Sequence, residues 1–335
     1  MAVVALANIY NPLTFASRTQ EAQIEKNAFL ASGVMVRDAA LQTQISAGGN
    51  IGEIAFFQPL GTGEPNYSTD NPATLSTPAN VSGTKQVFRM ANRNKSWSAM
   101  DLACDLALID PIGAITGRIG NYWATDDQTR LIKSCLGILA DNIANDASDM
   151  LYKVGTDATG AVADAERISA IATIQGDQTL GDAQGNLTTI AMHSRIYARL
   201  RAQNLITFDK VSSQGQKIAT YMDKTVIVDD SLPAVAGTNR ILYTCVLFGP
   251  GSFIMGDGAV QNPSATERVE SAGNGSGQEV IHSRTANVIH PNGFSFLSAS
   301  VAGQSATYAE LATATNWDRK LARKNIPMAF VQVND

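Results

Sequence analysis

The chain has 335 residues, of which 44% are hydrophobic and 16% charged, with a formal net charge of -5 and a pI of about 5.3. That composition builds a folded core and excludes a disordered chain. It also weighs against proteins that bind by neutralising phosphates, because these carry a basic excess; incidental contact with nucleic acid stays open.

The cysteines Cys104, Cys135 and Cys245 form no CxxC pair, which fits a reducing compartment or indifference to redox. Residues 1–10 are apolar but lack a basic flank and a cleavage site, so no signal peptide is expected. No run reaches the roughly 18 apolar residues of a membrane span. The expectation is a soluble chain working in cytosol-like conditions, with no membrane partner.

In chain order, residues 11–31 read as a helix, with Asn11 as cap, Pro12 at the first helical position and Gly33 as a stop. Residues 34–47 fit either a short helix or an extended arm. Residues 50–60 and 84–98 read as extended. Between them lies a stretch rich in Gly, Pro, Ser and Thr whose only sizeable apolar groups are Tyr67, Leu75 and Val81. Ordering residues 61–83 costs roughly 1–2 kcal/mol of backbone entropy per residue. Three side chains at about 1.5–3 kcal/mol each do not offset that. The loop is either floppy or held from outside the subunit.

Residues 101–120 carry helical apolar content broken at Pro111. The clearest element follows. Thr125 and Gln128 make a capping-box pattern with Asp126 and Asp127 in the first turn, and Ile132, Leu136, Leu139, Ile143, Ala147 and Met150 step at helical spacing. Asp141, Asn142, Asn145, Asp146 and Asp149 are expected on the opposite side, with Gly155 as the stop. Such a helix runs to roughly 40 Å and reads as a structural spine.

Residues 155–300 read as mixed α/β. Ser194 caps a short helix carrying Ile196, Tyr197, Leu200 and Leu205, with strands at 187–192, 224–229, 241–248 and 279–290 and Gly-rich turns at 249–258 and 273–277. Thr307 and Glu310 form another capping box, Trp317 and Leu321 sit in a basic helix stopped at Pro327, and residues 328–333 close as a strand.

Little in the chain points to catalysis. The three histidines, His193, His282 and His290, fall in no HExxH pattern, and neither GxSxG nor a P-loop occurs. His193 with Asp229 and Asp230 is the best metal candidate, but an aspartate pair after a strand is more often a turn or helix cap. The GNGSG run at 273–277 reads as a surface turn, and Cys135 as core. No cofactor is expected. Arg195, Arg199 and Arg201, and Arg319, Lys320, Arg323 and Lys324, form two basic groups. They fit a solvated or intersubunit face better than an inner surface against DNA phosphates.

Taken in order, these pieces resemble the major capsid proteins of tailed bacteriophages with the Hong Kong 97-type fold. The segments that carry the resemblance are DPIGAITGRIGNYWATDDQTRLIKSCLGILAD (110–141), IAMHSRIYARLRAQNLI (190–206), TVIVDDSLP (225–233), LFGPGSFIMGDG (247–258) and NWDRKLARKNIPMAFVQVN (316–334). The resemblance implies an α+β fold with an N-terminal arm at 1–49, an extended loop at 50–98, a peripheral domain with the spine helix at 99–155 and 301–335, and an axial domain at 156–300. It implies a structural, non-enzymatic protein that assembles with itself into hexamers and pentamers around phage DNA, in the virion, after assembly in host cytoplasm. Scaffold, portal and decoration proteins are further expected partners.

On this reading the extended loop and arm make the intersubunit contacts, through Phe15, Phe56, Phe57, Tyr67, Lys85, Phe88, Arg89 and Arg93. The chain opens without the long scaffolding segment of some relatives, so a separate scaffold or none is expected. Lys85 reads as a surface charge rather than a crosslinking lysine. A cellular nanocompartment shell of the same fold, and less readily an α/β enzyme, are the alternatives.

Overall fold

The computed structural model describes residue 29 and residues 32–335, except 47, 59, 61, 62, 79, 108–110 and 211–216. The helix expected at 11–31 lies almost wholly outside the described residues, and so does Phe15. Residues 34–47 are both things the sequence allowed: strand β1 (Met35–Arg37), then helix α1 (Ala39–Ser46). The extended loop begins and ends in strands β2 (Ile51–Phe57), β3 (Gly83–Arg89) and β4 (Ala91–Met100). Helices α2 (Asp101–Ala107) and α3 (Pro111–Thr116) follow, with Pro111 at the first position of α3, where its missing N–H costs nothing.

The spine helix α4 (Ile119–Asn145) has 27 residues and runs about 40 Å. It begins a turn and a half before the expected cap. Thr125 lies inside it, its hydroxyl donating 3.0 Å back to the Asn121 carbonyl rather than capping. It also ends earlier than Gly155. Ala147 and Ser148 take left-handed φ values of 54° and 59° and turn the chain into β5 (Leu151–Lys153). The expected facing fails in the last turns: Asp141 and Asn142 are buried and Ile143 is exposed. Asn142 Oδ1 accepts 3.1 Å from the Met150 amide, so a polar side chain occupies the core in order to close the turn.

Beyond β5 come α5 (Ala170–Gln178), β6 (Thr189–Met192), α6 (Ser194–Ala202), β7 (Thr207–Lys210), β8 (Lys217–Tyr221), β9 (Lys224–Val228), β10 (Ala234–Ala236) and β11 (Ile241–Phe248). The cap of α6 is His193 rather than Ser194, its ring nitrogen accepting from the Arg195 amide, and Leu205 falls past the helix end. Next are β12 (Phe253–Asp257), β13 (Ser264–Val269), β14 (Gln278–Pro291), β15 (Phe294–Phe296), the one-turn helix α7 (Tyr308–Leu311), β16 (Trp317–Arg319) and β17 (Met328–Val333). The 249–258 stretch is therefore partly strand. The Thr307–Glu310 capping box forms, but the basic helix expected around Trp317 does not. Trp317 pairs in strand register with Phe296, which buries its indole against the spine.

Two main sheets result. The larger has strand order β5-β17-β11-β6-β9-β8-β7, with β10 also on β11. One core, including Ile196 and Leu200 of α6 and Ala172 of α5, packs against its strands through Ile190, Leu247 and Val331. The smaller has order β1-β12-β14-β13, with β4 on the other side of β14 over ten residue pairs, from Gln278↔Met100 to Asn287↔Ala91. Leu131, Ile138 and Leu139 of the spine helix bury their side chains in the core that Phe253, Phe294 and Trp317 share. Strands from residues 253–291 thus lie with β4 beside the spine helix, while strands of 189–248, with β5 and β17, form the other sheet.

Candidate assembly interface

Among the described residues strands β2 and β3 pair only with each other, in seven-residue register from Ile51↔Arg89 to Phe57↔Gly83. The ribbon is pinned at its root and bare at its tip. Phe88 is 3% exposed and packs with Leu41, Ile45 and Val288. Arg89 donates to the Gly303 and Gln304 carbonyls at 2.6 and 2.9 Å, and the Asn50 amide reaches the same Gln304 carbonyl at 2.6 Å. The Ser295 hydroxyl accepts from the Val87 amide at 3.1 Å.

Towards the tip these contacts stop. Phe57 is 80% exposed and Phe56 half-buried. With Ala55, Gly83, Thr84 and Lys85 they line an open cleft of about 500 Å³. Lys85 is paired across the ribbon with Glu53 at 2.6 Å. In the loop beyond, Leu60, Tyr67, Leu75 and Val81 are all exposed, Leu75 at 85%. Tyr67 keeps one local bond, its hydroxyl donating to Glu64 at 2.8 Å, which raises its pKa above the usual phenol value. A monomer rarely carries this much apolar surface on one projection unless something covers it.

Arg93, one strand further on, is turned inward. It donates to Asp126 of the spine helix, to Asp127 at 2.8 Å and to Asn287 of β14 at 2.5 Å, with its guanidinium 5.3 Å from the Trp123 ring. Arg130, one turn along the helix, donates to the Ala306 carbonyl at 3.0 Å. Burial, and then the neighbouring Arg93, lower its pKa to about 10, so it stays charged at neutral pH.

The chain matches the family described as Gp13-like, major capsid protein 13-like, over residues 110–326. It is 31% identical to the major capsid protein of Bacillus phage SPP1 over 328 residues, covering 96% of this chain and 94% of that one. The chain belongs to the Gp13-like major capsid proteins. The fold agrees. The capsid of Ralstonia phage GP4 superposes with a TM-score of 0.61 at 11% identity, covering 97% of this chain and 96% of that chain. The capsid subunit of cyanophage Pam1 gives 0.59 at 14% identity, covering 95% and 97%. This is the Hong Kong 97-type fold, and the protein is a structural major capsid protein of a tailed-phage head.

In this capsid protein six of the seven basic residues picked from the sequence have polar partners in their own chain, while Arg201 lies 5.9 Å from the Tyr197 ring. Arg195 bonds Asp335 at 2.5 Å and Arg199 bonds it at 3.5 Å. Arg319 bridges Asp146 and Asp149 at 3.2 and 2.8 Å, Lys320 pairs with Asp318, and Lys324 with Asp182 at 2.8 Å. Arg323, lowered to about 10 by burial, donates to Thr179 and to two backbone carbonyls. Asp229 accepts from the Ser231 amide and hydroxyl and from Gln128, and Asp230 accepts from the Ser194 amide. Both are turn and cap residues, and no cluster of three or more metal-ligating side chains occurs among the described residues. Among the described helices none is long and apolar enough to cross a membrane.

The sequence could not show that Phe88 and Arg93 turn inward while Phe57 does not. All three sit in strand-like segments, and what differs is which of them the 253–306 region covers. The Gly52 opposite Phe88 was the available sign, because a strand glycine marks a close approach.

Proposed function

We propose that this major capsid protein closes copies of itself into the hexamers and pentamers of an icosahedral shell around phage double-stranded DNA, and that the β2–β3 ribbon and the loop beyond it make the principal intersubunit contact. The observation that carries this is the gradient along the ribbon. Its root is held by buried Phe88 and by Arg89, while Phe57, Leu60, Tyr67 and Leu75 at its far end touch little of their own chain. A subunit held by several neighbours through modest contacts gains from effective concentration, and closed symmetry limits growth.

On this reading residues 1–49 are the N-terminal arm and 50–98 the extended loop. Residues 99–155, with the spine helix, and 301–335 form the peripheral domain, and residues 156–300 the axial domain. Phe15, Phe56, Phe57, Tyr67 and Lys85 are the contact residues of arm and ribbon. Phe88, Arg89 and Arg93 support them from inside the subunit. The internal pairing of Arg195, Arg199, Arg319, Lys320, Arg323 and Lys324 supports only loose, non-specific attraction to packaged DNA. Assembly in the host cytoplasm with scaffold, portal and decoration proteins completes the reading, and no catalytic step or cofactor belongs to it.

Negative-stain electron microscopy of the expressed chain should show closed shells or curved capsomer sheets. A protein that stays monomeric at high concentration, with and without a co-expressed scaffold, contradicts the proposal.

A further inference from the structure

Besides Phe88 and the bonds of Gln86 and Val87 to residues 292–295, the ribbon root meets the body along a polar chain that does not stop at the ribbon. Gly303 and Gln304 receive Arg89 and Asn50. The Ser305 hydroxyl accepts from the Asn92 amide at 2.8 Å and donates to the Asn92 carbonyl at 3.0 Å. The Ala306 carbonyl takes Arg130 of the spine helix, and the Tyr308 hydroxyl donates to Asp126, which also holds Arg93. Residues 303–308 therefore touch the ribbon root at one end and the spine helix at the other, through consecutive residues. Met90, between β3 and β4, is the only residue of 83–100 outside both strands, so a pivot there leaves both ladders intact.

We propose that residues 303–308 form a strap coupling the ribbon to the spine helix: loosening its helix end at Tyr308 or Arg130 frees the ribbon to pivot at Met90 without any change in the ribbon itself. The strap gains its hold on the ribbon from the Arg89 guanidinium and the Asn50 side-chain amide on two carbonyls, is tied by Ser305 to Asn92 of β4 on the body side of Met90, and holds the helix through a carboxylate and a second guanidinium. Bonds to charged groups are the stronger class. Two such ends, joined by five peptide links, leave little slack for one to shift alone. A void of about 20 Å³ among Arg89, Arg130, His290, Ala306 and Trp317 lies beneath the strap, room for one water and not for a side chain. The proposal concerns how the ribbon is set within one subunit. Its consequence for assembly rests on the intersubunit role argued above.

Two amides report the seat of the ribbon, Val87 on Ser295 and Gly293 on Gln86, and a third, Asn92 on Ser305, reports the strap itself. Hydrogen exchange in the unassembled subunit should quicken at all three by about tenfold in Arg89→Ala. It should quicken at all three in Tyr308→Phe as well, although Tyr308 touches none of them. Lys85→Ala, which removes a bond inside the ribbon, should leave them unchanged. Unaltered exchange at Val87 and Gly293 in Tyr308→Phe, with the variant folded by circular dichroism, overturns the strap. If exchange responds as stated while shell formation by these variants is normal, the strap stands and the intersubunit role of the ribbon fails.

Discussion

Gly52 lies directly under the ring of Phe88: a Cβ built on it would fall 2.3 Å from Phe88 Cζ and 2.8 Å from both Cε atoms. The two residues face each other across the ribbon, and the absent side chain lets Phe88 fold over its own strand partner into the pocket of Leu41, Ile45 and Val288. That ring is one of the anchors of the ribbon on the body, beside the polar bonds of Arg89, Asn50 and Val87. Gly52→Val should therefore expel Phe88 and cost about 1–3 kcal/mol, read as a lower urea midpoint for the subunit, while Gly83→Ala near the tip should change the midpoint little.

The spine helix contains the opposite of a helix-propensity rule. Gly137→Ala in an exposed helix gains up to about 1 kcal/mol. Here the added methyl would sit 2.1 Å from the Leu311 carbonyl oxygen and 2.3 Å from Trp317 Nε1. Those two atoms are bonded to each other at 2.7 Å, so neither can retreat without losing its partner. The substitution should destabilise by about 3 kcal/mol, seen as a fall in thermal midpoint, with Gly120→Ala as the control that does not.

Acid should act on the core through His290. Burial lowers its pKa to about 4, against the ordinary 6.5, partly offset by the backbone bond to Phe294 at 2.7 Å. The folded state thus resists a proton that the unfolded chain takes up near pH 6.5. The contribution is full above that pH and is lost as pH falls from about 6.5 to 4, by roughly 3 kcal/mol in all. A His290→Gln variant should show a flatter loss of stability over that window in pH-dependent urea unfolding.

Asp141 has the other sign. Burial, partly offset by the bond from Asn145, raises its carboxyl pKa above the ordinary value, with Asp146 and Asp318 nearby adding to the rise and Arg319 opposing it. A raised carboxyl pKa means the folded state binds the proton more tightly, so this site stabilises as pH falls towards that pKa and weakens the fold at neutral pH. Asp141→Asn should be at least as stable as the parent at pH 7, and its advantage should shrink as the medium is acidified.

What could be read from the sequence divides along physical lines. The spine helix was legible from its apolar period, and strands 241–248 and 328–333 from short continuous apolar runs buried within one chain. The helix ends were not. Thr125 bonds back to Asn121 instead of capping, and Asn142 is buried to close a turn that no local pattern announces. Trp317 and Leu321 look helical by spacing, yet strand pairing with Phe296 decides the conformation because it buries the indole. In the loop beyond the ribbon, the composition of 61–83 led to the expectation of little self-burial, and Tyr67, Leu75 and Val81 are exposed. The division between Phe57 outside and Phe88 inside was not legible, since it depends on a pocket assembled from helix α1 and from Val288, 200 residues away.

The most direct test replaces residues 58–82 with Asn-Gly, a two-residue turn that closes β2 onto β3 at the Phe57↔Gly83 pair. Circular dichroism and the unfolding midpoint should match the parent chain, because the described residues of the removed segment are all exposed. Electron microscopy of the same preparation should show no closed shells. Closed shells of ordinary form from the shortened chain would contradict the assignment of self-assembly to this ribbon and loop.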